Sequence, residues 1–146
     1  MKTKKMLLTT LFLVFVSAVC YGRDVIITVS ELPAVAQQLL TKQFPGKQVS
    51  MVKKDVDTFK VSYDVLFADG TKVEFDKKGE WTEVKTRPAA VPAFFVPAGI
   101  STFVNANYPN VKIIEINRER YGYEVDLSNG LEIKFDKRFR VIDIDD

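Results

Sequence analysis

The chain has 146 residues, with 21 Lys and Arg against 19 Asp and Glu, one cysteine and no histidine. The absence of histidine removes the usual general base and the commonest metal ligand, and a lone cysteine rules out an intramolecular disulfide. Zinc, redox and thiol chemistry therefore find no support, no cofactor is expected, and the fold has to be held by its core.

Residues 1–22, MKTKKMLLTTLFLVFVSAVCYG, place three lysines ahead of an apolar run from Met6 to Cys20. This is the layout of a secretory signal peptide, and the run is shorter than the ~20 residues a spanning helix needs. Export to the periplasm or the extracellular space is the expectation. Membrane attachment is expected only if Cys20 is lipidated, which Val19 before it disfavours. Setting aside the leader's Lys2, Lys4 and Lys5 leaves 18 bases against 19 acids. That balance gives no electrostatic case for nucleic acid.

After the β-branched run DVIITV comes SELPAVAQQLLTKQFPG. Ser30 is placed as an N-cap, Leu32, Val35, Ala36, Leu39, Leu40 and Phe44 fall at helical spacing, and Pro45 and Gly46 end the helix. Strands are expected over Lys47 to Lys54 and then over Phe59, Val61, Tyr63, Val65 and Phe67, which alternate with polar residues. Asp69 and Gly70 turn the chain into Val73 and Phe75, and a last strand covers Glu80 to Lys85. The pattern then recurs. VPAGISTFVNANYPN reads as a second helix, with strands over Val111 to Arg118, from Tyr121, around Leu131 to Phe135 after Asn129 and Gly130, and over Arg140 to Asp145.

The expected organisation is a leader (1–22) and one α+β domain (23–146) made of repeat 1 (25–85), a Pro-rich connector (86–97) and repeat 2 (97–145). Each repeat is one helix followed by a four-stranded antiparallel meander. Up to eight strands would carry the helices on one face and leave the other to water.

The pairing of LPAVAQQLLTKQFPG with VPAGISTFVNANYPN, and of DGTKVEFDKKGEW with NGLEIKFDK, resembles the exported PepSY-like, beta-lactamase-inhibitor-like domains of Bacteroides-type bacteria. The resemblance spans about Val25 to Asp145. It implies an exported location, the helix-plus-sheet architecture and a binding or inhibitory role, and it transfers no catalytic or ligand residue. Phe139 stands where repeat 1 has Gly79, a departure in the last turn.

No GxGxxG, GxxxxGK[ST] or GxSxG occurs. Asp64 and Asp126 read as equivalent positions of the two repeats, and paired carboxylates can serve as acid and base. Alternation on a half-buried sheet explains them without chemistry. The same holds for Asp143 and Asp145 as a solvated strand end, and for the basic pairs Lys53–Lys54, Lys77–Lys78 and Lys137–Arg138 as solvated turns. Tyr63, Tyr121, Tyr123, Phe67, Phe75 and Phe135 read as core. If Val84 points inward, strict alternation puts Trp81 on the polar face, where a tryptophan among charges has the composition of a binding hot spot.

The leading expectation is thus a non-enzymatic exported module that binds an extracytoplasmic protein or polymer through its open sheet face. The candidate contact residues are Trp81, Lys60, Asp64, Lys72, Glu74, Glu124, Asp126, Glu132 and Lys134, with no metal site. A self-associating envelope protein, using AVPAFFVPAG with Phe94 and Phe95 exposed, is the alternative, and a small carboxylate enzyme is a third reading.

Overall fold

The computed structural model describes residues 22–146; the expected leader and Cys20 fall within 1–21, outside the described residues. The elements in order are β1 (Arg23–Ile27), α1 (Ala34–Gln43), β2 (Val49–Val56), β3 (Val61–Phe67), β4 (Lys72–Asp76), β5 (Trp81–Lys85), α2 (Ala98–Asn107), β6 (Ile113–Arg118), β7 (Gly122–Leu127), β8 (Glu132–Asp136) and β9 (Val141–Asp145). Every strand pairs antiparallel with its chain neighbours, giving one sheet in the order β1 to β9. The α+β class stands as read, with nine strands in place of eight. The extra strand is β1, whose Arg23 to Ile27 pair with Val56 to Val52.

Both helices start and stop by the same local devices. Pro33 and Pro97 precede them in extended conformation and accept from the amides of Gln37 and Ser101 at 3.1 Å. Ser30 does not cap α1. Thr28 instead donates its amide to the Glu31 carboxylate at 2.7 Å, closing a 3-10 turn over Val29–Glu31 one turn earlier. At the other end the amides of Phe44 and Tyr108 reach the carbonyls of Leu40 and Val104, after which Pro45 and Pro109 cannot continue the ladder.

One face of the sheet and the helices enclose a single core. Leu32, Ala36, Leu40 and Phe44 from the first helical segment, and Ile100 and Val104 from α2, lie on Val65, Val73, Phe75, Val84, Ile116, Val125, Ile133 and Phe135, all buried. Val35, expected in this stripe, is exposed. The connector supplies the central plug. Phe95 is buried, 5.7 Å from the Phe44 ring and edge-on to Trp81 at 5.3 Å. Of the two phenylalanines expected at the surface, only Phe94 is exposed.

Trp81 is a correction. It is 5% exposed and lies in the core, because β5 carries a bulge: Glu74 pairs with Glu83 and Phe75 with Trp81, leaving Thr82 as an extra residue. The bulge breaks the alternation, so Trp81 and Val84 both point inward. The Arg118 guanidinium covers the indole, 4.0 Å from its centroid. The strand starts were also read too early: β3 begins at Val61 and β7 at Gly122, which leaves Phe59 98% exposed and Tyr121 40% exposed in the loops before them.

Candidate functional site

On the face away from the helices, the strand register lines the outward side chains into rows across the sheet. One row runs Ile26, Lys53, Asp64, Glu74, Glu83, Asn117, Glu124, Lys134, Asp143, each directly opposite the next. A second runs Met51, Leu66, Lys72, Lys85, Glu115, Asp126, Glu132, Asp145. Side chains directly opposite sit ~5 Å apart, so each row is a string of interacting groups. Acids outnumber bases in both.

Lys60, Asp64, Lys72, Glu74, Glu124, Asp126, Glu132 and Lys134 all belong to this face, in two clusters. In the first, Lys72 lies 3.6 Å from Asp64, 3.9 Å from Glu74 and 3.6 Å from Glu83, and Lys60 lies 3.3 Å from Glu74. In the second, Lys134 reaches Glu132 and Asp145 at 3.2 Å and Asp143 at 3.7 Å. Between them is a seam that the sequence reading missed: Glu83, Lys85 and Arg87 against Glu115 and Asn117. Lys85 pairs with Glu115 at 2.8 Å, and Arg87 links Glu115 at 3.5 Å to Asp126. The alternation of Glu83 and Lys85 was the available signal; their partners across β6 were not.

Asp64 and Asp126 do not occupy matching places. The register sets Asp64 in the same row as Glu124, and Asp126 in the row of Leu66. Four strand spacings of ~4.8 Å separate β3 from β7, roughly 19 Å, beyond the reach of two carboxylates acting on one bond.

The electrostatics of the seam follow from crowding. Burial raises the Glu83 carboxyl above its usual range, Lys72 opposes this, and Glu115 and Glu74 add to it. Burial likewise raises Glu124 and Asp126. Burial also works against ionised Glu115, but the Lys85 ammonium, with Asn117 and Arg87 beside it, more than offsets this and that carboxyl lies below its usual value. Carboxylate oxygens of Glu124, Asp126 and Glu132 come within 4.8 Å of one another, with Lys134 paired to Glu132.

Among the described residues, an open face of paired charges over a buried core defines the class of the molecule: an α+β module with the helices on one side of a single antiparallel sheet. The comparisons with known proteins place it more closely. The family model described as "Putative beta-lactamase-inhibitor-like, PepSY-like" matches residues 61–143, and the chain belongs to that family. A protein from Bacteroides vulgatus ATCC 8482 described as a "putative periplasmic protein" of the DUF2874 family is 50% identical, with a TM-score of 0.81 over 84% of this chain and 97% of its own. A protein from Bacteroides thetaiotaomicron described as calcium-regulated and periplasmic is 44% identical, with a TM-score of 0.82 over 84% and 97%. A second protein from Bacteroides vulgatus ATCC 8482, described as a "putative periplasmic protein of unknown function", is 40% identical, with a TM-score of 0.81 over 85% and 100%. No curated protein matches the chain. Among the described residues no helix is long and apolar enough to cross a membrane.

Proposed function

We propose that the chain is an exported, non-enzymatic binding module whose open sheet face docks on a protein surface with an excess of positive charge. One observation carries this reading: the two rows of the face form an acid-rich charge lattice that runs from β2 to β9. Charge complementarity of this kind gives specificity and fast association without a pocket. The descriptions of the relatives as periplasmic support export, and the family description supports inhibition of a hydrolase as the sharper form.

The test is capture from the periplasm and culture fluid with residues 23–146 as bait, beside Glu74→Lys/Glu124→Lys and a helix-side control, Gln37→Lys. A protein retained by the parent and the control but released by the face variant, whose hydrolytic activity falls when the parent is added, is the expected result. Equal retention by all three forms would move the contact off this face.

A second reading rests on the convergence of Glu124, Asp126 and Glu132 together with the relative described as calcium-regulated. Calcium displacing Lys134 from Glu132 would change the charge of the face. Calorimetric titration with calcium chloride should then give a signal that Glu132→Gln weakens; the absence of heat with the parent retires this reading.

A further inference from the structure

Two strands of the sheet are built alike and finished differently. β5 and β9 each carry a bulge against the preceding strand, after which Glu83 faces Glu74 and Asp143 faces Lys134, so Val84 and Ile144 stand at the same step beyond it. On its outer side β5 has β6: Glu115, Ile116 and Asn117 lie opposite Lys85, Val84 and Glu83, and the Thr86 amide donates to the Ile114 carbonyl at 2.9 Å. Val84 is fully buried, and Phe95 roofs Trp81.

β9 has no strand beyond it among the described residues. Val141 and Ile144, at the places of Trp81 and Val84, stay 37% and 42% exposed. Alternate amides of a strand point to the same side, so the Ile144 amide faces outward as Val84 does, two residues before Thr86. It donates to the carboxylate of its own neighbour Asp143 at 3.1 Å. An incoming strand carbonyl would take that amide and release Asp143 for a new contact.

The charges choose the strand. Lys85 of β5 meets Glu115 of β6 at 2.8 Å, whereas β9 sets Asp145 at the place of Lys85 and Asp143 at that of Glu83. Lys134 lies 3.7 Å from Asp143 and 3.2 Å from both Asp145 and Glu132, so one base serves three acids. At the start of β9 the balance is opposite: the turn holds Lys137, Arg138 and Arg140 against Asp136, which pairs with Arg140 at 2.7 Å.

We propose that the outer edge of β9 receives an extended segment of another protein, running antiparallel, in which two basic residues flank a β-branched one and an acidic residue follows. The bases would lie opposite Asp145 and Asp143, the β-branched side chain opposite Ile144, and the acid near the basic turn. Main-chain hydrogen bonds then supply the attachment and the side chains the selection. This contact is separate from docking on the open face, because the backbone edge makes it and not the rows of side chains.

The test uses residues 23–146, a unit that folds alone because the solved relatives consist almost wholly of the matching region. A short fluorescent peptide, capped at both ends, that begins Lys-Val-Lys and ends Val-Glu is titrated and its anisotropy followed. Saturable binding, weakened by salt, is expected. Ile144→Pro keeps every charge and removes the outward amide, and should weaken binding about tenfold or more, while Ile144→Val should bind as the parent does. Asp143→Lys/Asp145→Lys should lose this peptide and take up one beginning Glu-Val-Glu and ending Val-Lys. Circular dichroism melts show that the variants are folded. No binding by the parent, undiminished binding by Ile144→Pro, or failure of the reversed pair would each overturn the proposal. So would sedimentation of the parent as a dimer that Ile144→Pro dissociates, since a second copy would then hold the edge. Loss of binding in Glu74→Lys/Glu124→Lys with none in Ile144→Pro would assign the peptide to the open face instead.

Discussion

Gly79 and Phe139 occupy the same place in two turns of the same build. Both have positive φ, 84° and 62°, both donate their amides to an aspartate carbonyl three residues back, and Asp76 and Asp136 each accept from the amides two and four residues on. What differs is the helix above. A Cβ on Gly79 would lie 2.7 Å from Pro33 Cβ and 3.1 Å from the Ala36 amide nitrogen. In the second half the glycine has moved to the helix, where a Cβ on Gly99 would lie 2.9 Å from Phe139 Cβ. One partner of each contact is a glycine, and the large side chain has changed sides. Gly99→Ala should therefore destabilise by about 1 to 2 kcal/mol despite its better helix propensity, and in a Phe139→Gly background it should stabilise by about 0.5 to 1 kcal/mol. Urea denaturation of the four proteins of this cycle reads the change of sign. Loss of the same sign in both backgrounds would remove the steric account. At Trp81, full burial against Phe95 predicts that Trp81→Ala costs about 3 to 5 kcal/mol, measurable by far-ultraviolet circular dichroism in urea, whereas an exposed tryptophan would cost almost nothing.

At the scale of elements, the helices, the hairpins and their order were legible because their signals are local: proline before and after each helix, Asp-Gly and Asn-Gly between alternating runs. The bulge in β5 leaves no such mark. Alternation assumes an unbroken pleat, and one extra residue, Thr82, reversed the side assigned to Trp81. The seam was hidden for another reason: Glu83, Lys85 and Glu115 become one cluster only when β5 pairs with β6, a long-range contact with no local mark. β1 was missed as a strand because five residues with an exposed edge bury too little to announce themselves.

The seam also has a pH signature. Glu83 is held above its usual value, so the fold favours its protonated form; that contribution is complete below the unfolded value near 4.5 and is lost as pH rises through the folded one. Asp69 runs the other way. Its hydrogen bond from Lys47, followed by that from the Thr71 amide, lowers it to about 2, so its contribution is present above the unfolded value near 3.8 and is lost as pH falls toward 2. Calorimetric melts should show Glu83→Gln with a higher Tm than the parent at pH 7 and no advantage below about pH 4. Asp69→Asn should melt lower at pH 7, and the gap should close toward pH 2. A pH-independent offset in either variant would point to packing instead of charge.

The whole molecule is one sheet and one core, although its element order is stated twice. Phe95, in the connector between the two helix-plus-strand sets, packs on Phe44 and Trp81 of the first, and β5 and β6 share only three register pairs. Phe95→Ala should thus lower the midpoint of a single cooperative unfolding transition by about 3 kcal/mol or more without splitting it; two separate transitions would show that the sets fold independently.

The sheet also never closes, and its last strand lies bare. Every residue of β9 is exposed, including Val141, Ile142 and Ile144, and its outer backbone edge has no neighbour among the described residues. Such an edge is a template onto which another chain can add, and what guards it here is the negative charge of Asp143 and Asp145, which would face the same aspartates of any second β9 brought alongside. The guard is a protonation state. Asp143→Asn/Asp145→Asn at neutral pH, and the parent in acid, should scatter light and bind thioflavin as sheet adds to sheet, while the parent at neutral pH stays clear.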